Sequence, residues 1–433
     1  MLELKSIYKK WDELYKVKIV QLSRTNTPVN FKESLQTPIH RWLAYKEGFS
    51  PNFVKSFISK YKNKDFASTV VFDPFGGVGT TVLSANTLGC TAYSTDVNPL
   101  GNFASRVKNY NYTVNDVLSI ESEIGRFMKS SNVPIIVEIN NETVKGYFHK
   151  TTFEALLMAR SYFCSIKNTV VKDLFVLALL SIVESISTHR KDGNGLKKKR
   201  KLPDPIDYDG LKHIIRERLK IFINDIQCSN FEIKGYVDIF DQSCIQPYSL
   251  PQKADLIITS PPYANCFDYS KVYMNELWVG GFFDSKLDQQ HFRENSVSSH
   301  VHYKWKRFDR EFTNHFVEDN IIPLLKNKEL WNKSILNMLP EYFADLGRCL
   351  FYISQNINYN ATVGFVVGNS VYAGIVVPTD LILANIAESI GYEVENIEVY
   401  RRLSSSSQQM SIIAEDDKMY LRESLVILKW EKK

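Results

Sequence analysis

The sequence predicts an α/β protein, one sheet of about seven strands with a helical insertion after the second strand. Three observations carry this. Two β-rich runs, Ser68–Phe72 and Cys90–Thr95, flank a helix of small residues and make a βαβ unit of the usual size. Residues from about 104 to 228 read as mainly helical. Strand character then returns at Phe231–Ile239, Ala254–Thr259 and Thr362–Val367.

In chain order, the N-terminal region through about residue 66 reads as mostly helical and ends in RWLAYKEGFSPNFVKSFISKY. The first two strands each run into an aspartate, Asp73 and Asp96. The helix between them, TTVLSANTLG, stops at Gly89. Within the helical stretch, LFVLALLSIVESIS (174–187) has a buried-helix pattern. It runs straight into HRKDGNGLKKKRK (189–201), where seven of thirteen residues are Lys or Arg. A flexible basic loop at a helix end is expected there. LILANIAESIGY (381–392) reads as a helix, and NIEVY (396–400) and ESLVILKW (423–430) as the last strands. The expected division is therefore 1–104, with N-terminal helices and the first half of the sheet; 105–228, the helical insertion; and 229–433, the second half.

Composition sets the class. With 433 residues, 44% hydrophobic and 23% charged, a packed core is expected. No run approaches the roughly 18 uncharged apolar residues of a membrane span. The start, MLELKSIYKKWDELYK, has no apolar signal core. Six cysteines are scattered without a CxxC pair, which fits reduced thiols and offers no zinc spacing. A cytoplasmic protein with no metal and no membrane partner is expected. A net charge of +5 is weak evidence for a polyanionic partner.

Two motifs carry chemistry. In VFDPFGGVGTTVL a strand ends at Asp73, a glycine turn follows, and a helix starts at Thr80. Ligands of open α/β sheets sit at the carboxyl ends of strands, and Gly76, Gly77 and Gly79 would let backbone amides approach one closely. The turn lacks the third glycine of a dinucleotide fingerprint and the Lys-Ser/Thr of a P-loop. It suits a cationic nucleoside such as S-adenosylmethionine, with Asp96 placed to accept from its ribose. A plain tight turn is the alternative. In TSPPY, the hydroxyl of Ser260 and the carbonyl of Pro261 can both accept from one amino group. Pro261 and Pro262 hold the backbone rigid, and Tyr263 offers a face to a flat ring. That makes a slot for a planar heterocycle bearing NH2, whose nitrogen gains positive charge as it attacks a methyl group. Taken alone, the motif also fits a proline turn capped by an aromatic ring.

Together the two motifs resemble those of amino-methylating DNA methyltransferases of restriction-modification type. The resemblance extends to YKEGFSP (45–51), STDVNP (94–99), FDQS (240–243), ADLIITSPPY, VGFVVGNS and ESLVILKW. It implies a Rossmann-like S-adenosylmethionine-dependent sheet. Tyr45, Gly48, Ser50, Pro51, Asp73, Pro74, Phe75, Gly76, Gly77, Gly79, Thr80, Asp96, Asn98 and Asp241 would serve the cofactor, and Ser260, Pro261, Pro262 and Tyr263 the reaction. Double-stranded DNA and a cognate restriction endonuclease would be the partners. Serine before PPY favours cytosine N4 over adenine N6. C5 chemistry needs a Pro-Cys nucleophile, and no proline here precedes a cysteine. The helical stretch between the ribose acid and TSPPY departs from the family's usual orders. An RNA base methyltransferase and a non-catalytic nucleic-acid-binding subunit are the remaining readings. In the basic run, Arg190, Lys191, Lys197, Lys198, Lys199, Arg200 and Lys201 would neutralise phosphates; a solvated charge run or a nuclear address fits the same residues. Aromatic segments around TSPPY, FDYSKVYMNELW (267–278) and HVHYKWKRF (300–308), would hold a flipped base or the duplex.

Overall fold

The computed structural model describes residues 2–21, 33–46, 48, 50–62, 65–228, 234–305, 312, 314–403 and 411–431. Its centre is an eight-stranded sheet. The strands are β1 (Ile19–Gln21), β2 (Val70–Asp73), β3 (Thr91–Asp96) and β4 (Val237–Asp241), then β5 (Ala254–Thr259), β6 (Ile357–Gly368), β7 (Tyr392–Arg402) and β8 (Arg422–Trp430). They lie in the order β1-β7-β8-β6-β5-β2-β3-β4. Only β8 runs antiparallel to its neighbours; every other pairing is parallel.

The sheet has one strand more than the seven or so expected. The addition is β1, an edge strand inside the stretch read as helical, pairing Ile19 with Ile397. Three residues give no periodic signal, and this pairing partner lies far along the chain. Among that region's described residues are the α-helices Leu2–Leu14 and Pro51–Lys62 and a 3-10 helix, His40–Trp42. The strand expected from Phe231 starts at Val237, and residues 231–233 lie outside the described residues. So do residues 306–308 of the HVHYKWKRF segment.

The central strands are buried on both faces, as those of parallel sheets are. Val70 and Phe72 pack into one core, under the helices Ile335–Gln355 and Thr379–Ile390. Val71 points the other way, into a core with Phe53, Phe57 and Val82. A third core joins Leu100 and Ala104 to the helices Val114–Lys129, Lys150–Ser165, Thr169–Ile186 and Tyr208–Gln227. No helix among the described residues is long and apolar enough to cross a membrane.

Strand order positions the site. From β2 the chain proceeds outward to β3 and β4, then returns to the other side of β2 as β5. The carboxyl ends of β2 and β5 therefore bound the crevice at which an open α/β sheet binds ligands.

Candidate active site

At that crevice lies a cavity of about 900 Å³, its open mouth included. Asp73 ends β2 and Thr259 ends β5, and the two are locked together. Thr259 Oγ1 donates to Asp73 Oδ1 at 2.6 Å. Thr81 donates to Oδ2 at 2.6 Å, and the Phe75 amide to Oδ1 at 3.0 Å. Asp73 thus fixes the glycine turn to the second motif. Burial pushes its carboxyl up to about 6, against the pull of these donors.

The glycine turn works differently from the expectation. Its amides are already engaged: Gly76 donates to Thr95 O at 3.0 Å and Gly79 to Gly76 O at 2.8 Å, while Gly77 donates to Asp96 Oδ2 at 2.7 Å. Two of the glycines also serve close packing. A Cβ on Gly79 would stand 2.1 Å from Ser105 Oγ, at φ +79°. A Cβ on Gly76 would stand 2.7 Å from Ser94 Cβ. Gly77, at φ +48°, faces the Tyr45 ring and lines the cavity with Gly76.

Asp96 accepts one amide on each oxygen, from Gly77 and, at 2.8 Å, from Asn98. The Val97 amide also turns toward this carboxylate, whose four acceptor positions are not all filled, and burial lifts it too to about 6. A half-buried acid with unused acceptor capacity in a largely apolar cavity suits a ligand diol. Asn98 donates to the Tyr45 hydroxyl at 2.9 Å, and the Tyr45 ring stacks on Tyr273 at 4.6 Å.

Twelve of the expected residues line this one cavity: Tyr45, Gly48, Asp73, Pro74, Phe75, Gly76, Gly77, Thr80, Asp96, Asn98, Ser260 and Pro262. Six do not. Ser50 accepts from the Phe53 amide at 3.1 Å and Pro51 opens that helix. Gly79 is the packing glycine, and Pro261 is buried behind the turn. Asp241 is turned away to Arg106 at 2.6 Å and Asn102 at 2.8 Å. Tyr263 lies against the end of β6, where a Cβ on Gly368 would meet its ring at 2.8 Å. Its hydroxyl donates to Glu423 at 3.1 Å and faces Ser260 Oγ at 3.5 Å. A serine proton directed to Tyr263 leaves the Ser260 lone pairs to the cavity. Motif matching missed the far wall, where Tyr269, Phe292 and His300 line the cavity. Tyr269 and His300 stand in the two aromatic segments noted beside TSPPY.

The basic run is a β-hairpin rather than a flexible loop. His189–Asp192 pairs with Gly195–Lys198 across Gly193-Asn194, a two-residue turn that Gly193 makes accessible at φ +54°. Its tip meets the loop after TSPPY, where Asn194 Nδ2 donates to Asn265 O at 3.1 Å. Two of the seven cations are structural. Lys191 is 6% exposed and paired with Glu184 at 3.1 Å and with buried Glu276. Burial alone would lower its pKa, but the two carboxylates raise it instead. Lys199 caps the helix Thr169–Ile186, donating to Glu184 O at 2.7 Å and Ser185 O at 2.9 Å. Arg190 and Lys197 neighbour Asp192. Lys198, Arg200 and Lys201 are exposed.

No protein-family model matches the chain. Curated relatives do. Type II methyltransferase M.AvaI of Nostoc sp. is 28% identical over 428 residues, covering 88% of this chain and 85% of that protein. Type II methyltransferase M.BsoBI of Geobacillus stearothermophilus is 28% identical over 457 residues, with 93% and 87% covered. Type II methyltransferase M.MvaI of Kocuria varians is 21% identical over 398 residues, covering 84% of each. Over most of its length, the chain is similar to Type II methyltransferases.

Proposed function

We propose that this protein is a site-specific DNA methyltransferase. It would act on the exocyclic amine of an extruded base, cytosine N4 before adenine N6, and pair with a cognate restriction endonuclease. The observation that carries the reading is one cavity lined both by Ser260 and Pro262 and by Gly77 and Asp96. When bound, S-adenosylmethionine supplies an electrophilic methyl group. Asp96 accepts from its ribose, and the turn at Gly76-Gly77 bounds one side of it. Ser260 accepts from the target amine and stabilises the charge that grows on nitrogen. Tyr263, whose hydroxyl engages Ser260 and Glu423, would offer its ring to the base from outside this cavity lining. Digesting DNA treated with the protein and cofactor to nucleosides tests this. N4-methylcytosine is expected, N6-methyladenine would move the target, and no methylated nucleoside would overturn the reading.

The geometry of Asp96 sets a pH dependence. Ribose hydroxyls favour the ionised form of Asp96, so binding should draw its carboxyl down from about 6. Affinity is then fully present above that pH and falls as pH drops through it. Cofactor Kd by calorimetry should weaken up to about tenfold from pH 7 to pH 5. Asp96→Asn should bind about ten- to hundredfold more weakly at pH 7 and show a flatter profile. Equal Kd at both pH values would refute the ribose hydrogen bond.

The hairpin should act on phosphates. Converting Lys197, Lys198, Arg200 and Lys201 to Gln should weaken all duplexes alike, and the salt slope should fall by about 0.9 for each phosphate no longer neutralised. The preferred sequence should be kept. An unchanged slope would make the run a solvated surface.

A further inference from the structure

The far wall of the cavity holds a polar group with nothing to bond among the described residues. His300 is 2% exposed and lines the cavity, and its Nε2 is buried with no hydrogen-bond partner among the described residues. Its other nitrogen is engaged: the His302 amide donates to Nδ1 at 3.2 Å. A ring that accepts at Nδ1 carries its proton on Nε2. Burial holds its pKa down at about 4, with Arg293 and His302 adding to the effect against Asp268. The ring is a neutral N–H donor, and a buried donor without an acceptor is costly.

Its place in the wall indicates which ligand supplies the acceptor. The segment 292–300 spans the cavity. At one end, the Asn295 carbonyl accepts from Ser243 Oγ at 2.6 Å, just past β4. At the other, the Ser299 carbonyl accepts from the Cys266 amide at 3.0 Å, in the loop that follows TSPPY. His300 is at the TSPPY end, away from β4. Asp268, His300 and His302 also come within 4.8 Å of one another, a spacing a metal ion could use. Asp268 is already committed, however, to Arg293 at 2.7 Å and to Ser270 Oγ at 2.6 Å. A guanidinium on that carboxylate opposes a second cation.

Resting on the reading of the protein as an amino-methyltransferase, we infer that His300 Nε2–H donates to the ring nitrogen beside the target amine. Cytosine offers an acceptor there at N3 and adenine at N1. Thymine and guanine present N–H at the equivalent position, so donor would meet donor. Ser260 accepting from the amine and His300 donating to its ring neighbour would together read the edge of an extruded base. They admit the two bases whose 4- or 6-amine adjoins a ring acceptor and reject the other two. His300 is thus a specificity-determining residue.

A cycle between protein and base tests this in single turnover. Its substrates are a duplex with the methylated base and one with that base in its deaza form, where C–H replaces the ring acceptor. The wild type should lose roughly tenfold or more on the deaza duplex. His300→Phe should lose as much on the normal duplex and nothing further on the deaza duplex. His300→Gln, which keeps an N–H at the same reach, should recover most of the rate. Cofactor Kd should stay at the wild-type value in both variants, which also reports an intact fold. Independent losses, in which His300→Phe falls again on the deaza duplex, would overturn the assignment. So would a cofactor Kd weakened by the same factor as the rate. A wild type that methylates no duplex would fail the functional reading itself, before any variant is compared.

Discussion

Ser260→Ala should slow methyl transfer about a hundred- to a thousandfold in single turnover, with duplex and cofactor affinity nearly unchanged. The asymmetry follows from when the interaction acts. The amine of a heterocycle is a poor nucleophile, and its nitrogen becomes positive only as it attacks. An acceptor at that point stabilises the transition state more than the bound ground state. A preorganised partner of this kind is worth about 2.7–4 kcal/mol, by analogy with oxyanion-hole donors. Ser260 is preorganised: its proton faces the Tyr263 hydroxyl at 3.5 Å, which is tied at 3.1 Å to Glu423. Arg401 Nε holds Glu423 in turn at 2.7 Å. Nothing in the sequence assigns the tyrosine hydroxyl a task, so on that basis Tyr263→Phe is expected to keep most activity. With that hydroxyl in the Ser260–Glu423 chain, Tyr263→Phe should show a fractional loss in rate. Tyr263→Ala should also impair base capture, losing about 1–3 kcal/mol of stacking. Wild-type single-turnover rates in both Ser260→Ala and Tyr263→Ala would reduce the motif to a structural turn.

What the sequence disclosed depended on the range of the interaction. The βαβ unit was legible because its strands, helix and glycine stop signal locally. The two aspartates were legible because each closes a strand. TSPPY was legible because two prolines after a buried strand constrain the backbone whatever surrounds them. What the sequence did not disclose is a matter of long range. β1 exists only through pairing with a strand about 380 residues later. The turn glycines were read as ligand contacts, and Gly76 and Gly77 do line the cavity, but the close approach of Gly79 to Ser105 and of Gly76 to Ser94 is set by packing. Asp241 stood at the end of a strand, as Asp73 and Asp96 do, but Arg106 draws it away. His300 lay in a segment singled out for its aromatic rings. Its burial and its spare donor depend on a loop more than thirty residues from TSPPY folding back over the cavity.

The same lesson gives the largest stability effect. Seven cations in thirteen residues read as one solvated or phosphate-binding run, but Lys191 is a buried strut. Its ammonium sits between Glu184 and Glu276, and Glu276 is 2% exposed. The ammonium also lies 4.5 Å from the centroid of Tyr273, whose ring stacks on Tyr45 at the cavity wall. Lys191→Met removes the charge and keeps much of the volume, so Glu276 is left charged and buried. Breaking a buried pair from one side costs about 3–5 kcal/mol. The urea midpoint should therefore fall sharply, more than for any single change among Lys197, Lys198, Arg200 and Lys201. Adding Glu276→Gln should recover a large part, because the stranded charge is then gone. The salt slope of duplex binding, measured under conditions where the variant stays folded, should match the wild type. That last measurement separates the two roles. A wild-type urea midpoint together with a shallower salt slope would return Lys191 to the phosphate-binding set.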